Sequence, residues 1–331
     1  MKVVTALPWT QPAWQRLTQQ HQVARLGHAI LMVGQEGIGK RLLMREFAQL
    51  LLCTGSGVKP CGQCASCMLY DAGSHPDLLM VEPEEAGKQI KIEQIRKVTE
   101  FVNTTPQKGE NKVVLLGPSE AMNNNASNAL LKSLEEPSGH VTLLLYSHQP
   151  SGLLATIKSR CQQYELSPPN WQQGLDWLQA NSQESGLESI LRLAKGAPLR
   201  ALNMIEQDIH VQYMQFCQGM LDLSNGGSHW NEVMLKWKNW DTSSVLQWFY
   251  ELILDMQKVK SGLSEQNLSI QELSALTTKL ADVCNYAQLE SMLEKAVFSQ
   301  QALRGQANPN AQMLIETLLI DWISLLGQAR G

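Results

Sequence analysis

Three short stretches of the chain are predominantly apolar. They are residues 29–33 (Ala-Ile-Leu-Met-Val), 112–116 (Lys-Val-Val-Leu-Leu) and 141–146 (Val-Thr-Leu-Leu-Leu-Tyr). Runs of this length, rich in β-branched residues, suit strands buried on both faces of a parallel sheet. Between them the period changes. In residues 41–52 the apolar positions Leu42, Leu43, Phe47, Leu50 and Leu51 follow helical spacing, and residues 127–136 read as a second helix that Pro137 stops. Alternating strands and helices predict an α/β domain. Ser167-Pro168-Pro169 breaks the pattern. From Trp171 onward no strand pattern recurs. A small helical segment runs to about Asn203 with a break at Gly196-Ala197-Pro198. Helices then continue to the end, interrupted near residues 224–228, 261–262 and 308–310. The predicted class is α/β plus all-α, divided as residues 1–166, 167–205 and 206–331. In the last part Leu314, Ile315, Leu318, Leu319, Trp322 and Leu325 form a packing stripe.

Composition narrows the function. The 331 residues are 44% hydrophobic and 18% charged, enough apolar material for ordered domains. The formal net charge of -4 argues against a chain that binds DNA strongly by itself, since phosphate clamping needs a basic excess. The amino terminus has one positive charge and a short apolar run broken by Pro8, which is not an export signal. Residues 313–326 carry Glu316 and Asp321 and fall short of a membrane span. The expected compartment is the cytoplasm, where cysteines stay reduced.

Four of the seven cysteines, Cys53, Cys61, Cys64 and Cys67, form C-x7-C-x2-C-x2-C, with Gly55, Gly57, Pro60 and Gly62 to allow tight turns. Four thiolates at this spacing predict a tetrahedral, structural Zn²⁺ site with no position left for catalysis. Cys161, Cys217 and Cys284 stand apart and read as small core residues.

Residues 34–41, Gly-Gln-Glu-Gly-Ile-Gly-Lys-Arg, match the phosphate loop G-x-x-x-x-G-K between a strand and a helix. Gly34, Gly37 and Gly39 would let backbone amides close on phosphate, and Lys40 would supply charge. The next position should carry a hydroxyl for Mg²⁺, but it is Arg41, which has only donors. The second strand should end in carboxylates for Mg²⁺ and water, but it runs into Gly117-Pro118-Ser119-Glu120. Both losses predict a loop that does not hydrolyse ATP. Weak nucleotide binding through Lys40 and the loop amides stays open.

Ser159-Arg160-Cys161 follows the third strand. On spacing alone Arg160 is a surface arginine capping a helix end. Trp230, Trp237, Trp240 and Trp248 could stack single-stranded bases. Only Lys236 and Lys238 lie among them, so they read as core or interface anchors.

The run 128–137, Asn-Ala-Leu-Leu-Lys-Ser-Leu-Glu-Glu-Pro, together with Ser159-Arg160-Cys161 and the cysteine module placed after the first loop and helix, resembles the bacterial sliding-clamp loader subunits of the AAA+ class. The resemblance is dense from Leu7 to Pro169 and thinner beyond. It implies a P-loop α/β domain with a zinc module, a small helical lid and a C-terminal helical collar. It further implies a subunit of the DNA polymerase III assembly, placed in a hetero-pentamer with motor subunits (gamma and tau) and the clamp-opening delta subunit. Through that complex the chain would meet the sliding clamp and primed DNA. The changes at Arg41, Gly117 and Pro118 fit members with decayed nucleotide sites, which act as stators without activity of their own. The alternative is an ATP-hydrolysing motor subunit. In the family Arg160 would be an arginine finger for a neighbour's ATP, with Ser159 and Cys161 as its motif context. Ser147 and Arg200 match sensor positions, and His75-Pro76-Asp77 reads as structural. Arg45, Arg96 and Lys97 lie in helices that could face the interior of a ring.

Overall fold

The computed structural model describes residues 7–329 apart from 86, 136–139, 227–228, 265–267, 270–272 and 305–309. The helix stop at Pro137 and the breaks at Gly227-Ser228 and Asn308-Pro309 lie outside the described residues.

Five strands form one parallel sheet: β1 (Ala29–Val33), β2 (Leu78–Val81), β3 (Lys112–Leu116), β4 (Val141–Ser147) and β5 (Gln162–Glu165), in the order β2-β3-β4-β1-β5. The three apolar runs are the three central strands. Successive residues point to opposite faces, and both faces are covered. Ile30, Met32, Val113, Leu115, Leu144 and Tyr146 pack with Phe47 and Leu43 on one side. Ala29, Leu31, Val114, Leu116, Leu143 and Leu145 pack with Val98, Leu130 and Ile157 on the other. Burial on both faces is why these strands read as predominantly apolar runs.

The two strands that periodicity missed are the edges. β5, Gln-Gln-Tyr-Glu, buries only Tyr164, and β2 has four residues with only Val81 fully covered. Both edges are short, which limits pairing with other chains; β5 is mostly polar, whereas β2, Leu-Leu-Met-Val, is apolar but only four residues long. The helix expected at 127–136 starts earlier and spans Asn124–Glu135, because the Asn123 side chain accepts a hydrogen bond from the Ala126 N–H and caps it.

The chain divides into two compact units, Met1–Trp177 with Ala197–Arg200, and Leu178–Gly196 with Ala201–Gly331. Among its described residues the second unit has helices and no strand. Its long helix Thr242–Lys260 starts at Asp241, whose carboxylate accepts from the Ser244 N–H at 2.8 Å. Phe216 lies against Tyr213, Trp237, Trp248 and Phe249, with ring centroids 4.9–6.3 Å apart. Trp240 joins Trp237 and Trp248 at 5.7 and 5.5 Å. Trp237 and Trp248 are buried, so three of the four tryptophans belong to an aromatic core. Among the described residues the ring contact of Trp230 is with His229. Ile315, Leu318, Leu319 and Trp322 of the expected stripe are buried, whereas Leu314 and Leu325 are half-buried. Within this unit Lys195 pairs with Glu251 at 2.8 Å and Lys258 with Asp255 at 2.7 Å, which satisfies two carboxylates buried on one helix face.

Candidate functional site

The phosphate loop leaves the carboxyl end of β1, the edge where open parallel sheets place ligands. Gly34, Gly37 and Gly39 all have positive φ (149°, 77° and 100°), which only glycine adopts without strain. They also have close neighbours. A Cβ on Gly37 would lie 2.4 Å from the Cβ of Arg200, and one on Gly34 would lie 2.4 Å from the Leu166 carbonyl oxygen. Two loop carbonyls are taken from within the same unit: Ile38 O accepts from Trp9 Nε1 at 2.8 Å, and Gly37 O accepts from the Leu199 N–H at 3.0 Å.

Lys40 is buried, and its ammonium turns back on the loop. It donates to Gly34 O at 2.6 Å and Gln35 O at 2.5 Å. Burial lowers its pKa to about 8, against the opposing pull of Glu120 and Glu36. The charge expected to meet phosphate is thus spent on the carbonyls of its own loop.

The magnesium position is equally committed. Arg41 forms a two-pronged ion pair with Glu82, which follows β2, and Glu82 also accepts from Tyr146 OH at 2.9 Å. At the end of β3 a Cβ on Gly117 would meet the Tyr146 ring at 2.7 Å, so a side chain there has no room. Glu120 lies beyond, and its Oε1 accepts from the N–H groups of His148 and Gln149 at 2.8 and 3.1 Å. Ser147 ends β4 beside Val33 of β1 and is fully buried. Among the described residues its Oγ has no hydrogen-bond partner. Ser147 and Arg200 therefore both lie beside the phosphate loop.

The four cysteines converge. Their sulfurs all lie within 4.8 Å of one another, with Cys53 and Cys64 3.9 Å apart and Cys61 and Cys67 4.0 Å apart. A tetrahedral thiolate site with metal–sulfur bonds of about 2.3 Å needs separations of about 3.8 Å, so the set can hold a metal ion. Local structure sets the ligands. Cys53 is the C-cap of Lys40–Leu52 and Cys64 is the N-cap of Ala65–Asp71. Backbone N–H groups of Gly55 and Cys61 point at the Cys53 sulfur, those of Gln63 and Cys64 at Cys61, and that of Cys67 at Cys64. Donors aimed at sulfur favour thiolate. A hydrogen bond from Thr54, then the Cys67 amide, lowers Cys64 to about 5, whereas burial raises Cys67 to about 12. Cys161, Cys217 and Cys284 are buried singly.

Beneath this module His75 Nδ1 accepts from the Asp77 N–H at 3.0 Å, which leaves the proton on Nε2, 2.8 Å from Ser66 Oγ. Ser66 in turn donates to Leu52 O. The Asp77 carboxylate accepts from the N–H groups of Gln107 and Lys108 at 2.7 and 2.8 Å. His75-Pro76-Asp77 is thus a brace between the cysteine module and the sheet.

Arg160 ends the short helix Ala155–Arg160 on the surface. Its Nη1 donates to Thr156 O at 3.0 Å, and its Nη2 lies 2.5 Å from Glu135 Oε1. Ser159 Oγ bonds to Thr156 O, and Cys161 is buried beneath. Sequence reasoning missed Glu82 and Glu135, the partners of the two arginines. Glu82 was hidden because the short apolar run before it, Leu78–Val81, was not read as a strand. Glu135 stood in a run already singled out, but nothing in the sequence joins it to Arg160. Arg96 and Lys97 are exposed and Arg45 is half-buried. No helix is long and apolar enough to cross a membrane among the described residues.

Residues 9–170 match the family described as DNA polymerase III, delta subunit, and residues 207–324 match its C-terminal family. The DNA polymerase III subunit delta' of Pseudomonas aeruginosa is 39% identical over 97% of this chain and 98% of its own length. That of Escherichia coli is 30% identical over 95% and 94%. A gamma subunit-related protein of Thermotoga maritima covers 94% of this chain and 99% of its own at 18% identity, with a TM-score of 0.44, too low to add to the argument. On the near full-length identity to such relatives, the chain belongs to the delta' subunit family of DNA polymerase III.

Proposed function

We propose that this chain is the non-hydrolysing stator of a DNA polymerase III clamp loader. Its role is to help motor subunits load a sliding clamp onto primed DNA. The observation that carries this reading is the state of the phosphate loop: Lys40 bonds to Gly34 O and Gln35 O, and Arg41 is locked to Glu82 where a magnesium-binding hydroxyl would stand. Without that hydroxyl and the strand-end carboxylates no Mg²⁺ is held, and phosphoryl transfer depends on the metal to neutralise charge. The contribution to chemistry is in trans. Arg160 is a surface guanidinium that can neutralise charge developing on the γ-phosphate of a neighbour's ATP.

In this reading the cysteine cluster holds one structural Zn²⁺, because all four positions are protein thiolates and no coordination site is left open. Residues 1–166 form the AAA+ domain, 167–205 a lid and 206–331 a collar that holds a hetero-pentamer with gamma or tau and delta. The chain works in the cytoplasm.

The test is DNA- and clamp-stimulated ATP turnover by the reconstituted loader, with this chain alone as the blank. Arg160→Ala should lower turnover at one site by ~10³ or more while assembly survives, and the blank should be silent. Unchanged turnover would leave only a scaffold, and a blank that hydrolyses ATP would replace the stator by a motor.

A further inference from the structure

Arg160 is held at two places. Its Nη1 bonds to Thr156 O at 3.0 Å and to Ser159 Oγ at 3.5 Å, both on its own helix. Its Nη2 lies 2.5 Å from Oε1 of Glu135, the last residue of the helix Asn124–Glu135. We propose that Glu135 is a positioning residue for Arg160: its carboxylate fixes the guanidinium in the orientation from which it reaches a phosphate on the neighbouring subunit. This inference rests on the trans-arginine reading given above.

The ion pair is not needed to hold the two helices together. Leu130 and Leu134 of one helix and Ile157 of the other are buried in a single apolar cluster, with Cys161 beside them. What the pair adds is control of a long side chain. An unrestrained arginine samples many rotamers and loses that freedom when it docks, so fixing it beforehand strengthens the contact it makes in the transition state. The guanidinium has more N–H donors than these three contacts use, so donors remain for an incoming phosphate. The pair can also yield. Its side chains are 35% and 48% exposed, and solvent-exposed ion pairs are weak. Glu135 therefore aims Arg160 without competing strongly with a multiply charged phosphate. It also gives a role to the run 128–137, which the phosphate loop and the cysteine module do not use.

The experiment is ATP turnover by the reconstituted complex carrying Glu135→Ala, Glu135→Gln, Arg160→Ala, or Glu135→Ala with Arg160→Ala. Glu135→Ala should slow the site served by Arg160 about fivefold, the ceiling for an exposed pair. That is about four-fifths of the turnover that Arg160→Ala removes, with KM for ATP unchanged. Glu135→Gln keeps a hydrogen-bond acceptor and should recover most of the loss. In the Arg160→Ala background Glu135→Ala should change nothing further. If Arg160→Ala itself leaves turnover unchanged, the trans-arginine reading fails and takes this one with it. If Arg160→Ala lowers turnover but Glu135→Ala does not, or costs the same in both backgrounds, Glu135 positions nothing and the arginine stands alone.

Discussion

Arg41 and Glu82 form a two-pronged ion pair, Nε to Oε1 at 2.5 Å and Nη2 to Oε2 at 2.6 Å, that joins the phosphate-loop helix to the end of β2. The helix position that should bind magnesium is therefore tied to the sheet by an arginine. Its guanidinium fork matches the carboxylate and cannot ligate a cation.

Restoring the hydroxyl should not restore hydrolysis. In Arg41→Thr the chain alone should still turn over no ATP, because β3 ends at Gly117 against the Tyr146 ring and Glu120 Oε1 is occupied by two backbone N–H groups. A colorimetric phosphate assay on the purified variant checks this. Turnover above the blank would mean that Arg41 was the only defect.

Lys40 gives a pH signature. Its folded pKa of about 8 lies below the ordinary 10.5, so folding disfavours the ammonium form. Below pH 8 both states carry the proton and the burial cost is fully present. Between about pH 8 and 10.5 the unfolded chain holds the proton while the folded one releases it, so stability from this group rises with pH. Urea midpoints at pH 7.5, 8.5 and 9.5 should show this rise as a growing difference between the wild-type chain and Lys40→Met, because the buried thiols of Cys161, Cys217 and Cys284, held above their ordinary pKa, pull stability the other way in both chains.

Metal content tests the cysteine cluster directly. The purified chain should carry one zinc per molecule by elemental analysis. Cys64→Ser should lose most of it and lower the thermal midpoint by roughly 5 °C or more. Affinity should weaken as pH falls, because protons compete for the thiolates. A fully metal-free chain with an unchanged midpoint would remove the structural role.

The helical unit depends on Phe216, which lies against four other aromatic rings. Phe216→Ala should cost about 3–5 kcal/mol, the range for deleting a buried aromatic side chain. It should appear in calorimetry as an early transition, with the α/β transition retained. Because Trp237, Trp240 and Trp248 form core, their fluorescence should not respond to single-stranded DNA.

Much of the α/β unit was legible because its central strands are covered on both faces, so residues 29–33, 112–116 and 141–146 carried a predominantly apolar signal. The edges were not: β5 is mostly polar, and β2, though apolar, is a four-residue run too short to be told from other apolar segments by its pattern. The cysteine spacing was legible for a local reason. Cys53 closes one helix and Cys64 opens the next, so the chain between them must turn back on itself.

By itself the sequence determined which atoms are missing: Arg41 stands where a phosphate loop carries a hydroxyl, and Gly117 and Pro118 stand where the strand end would carry carboxylates. It also determined the four thiolates and the family resemblance. Only the tertiary structure decided what the remaining charges do. Lys40 could have faced solvent, but burial and two loop carbonyls turn it inward. Arg41 and Arg160 acquire Glu82 and Glu135 from elements 41 and 25 residues away. Such pairings depend on where the strands and helices are placed in space, and residue order alone does not give those distances.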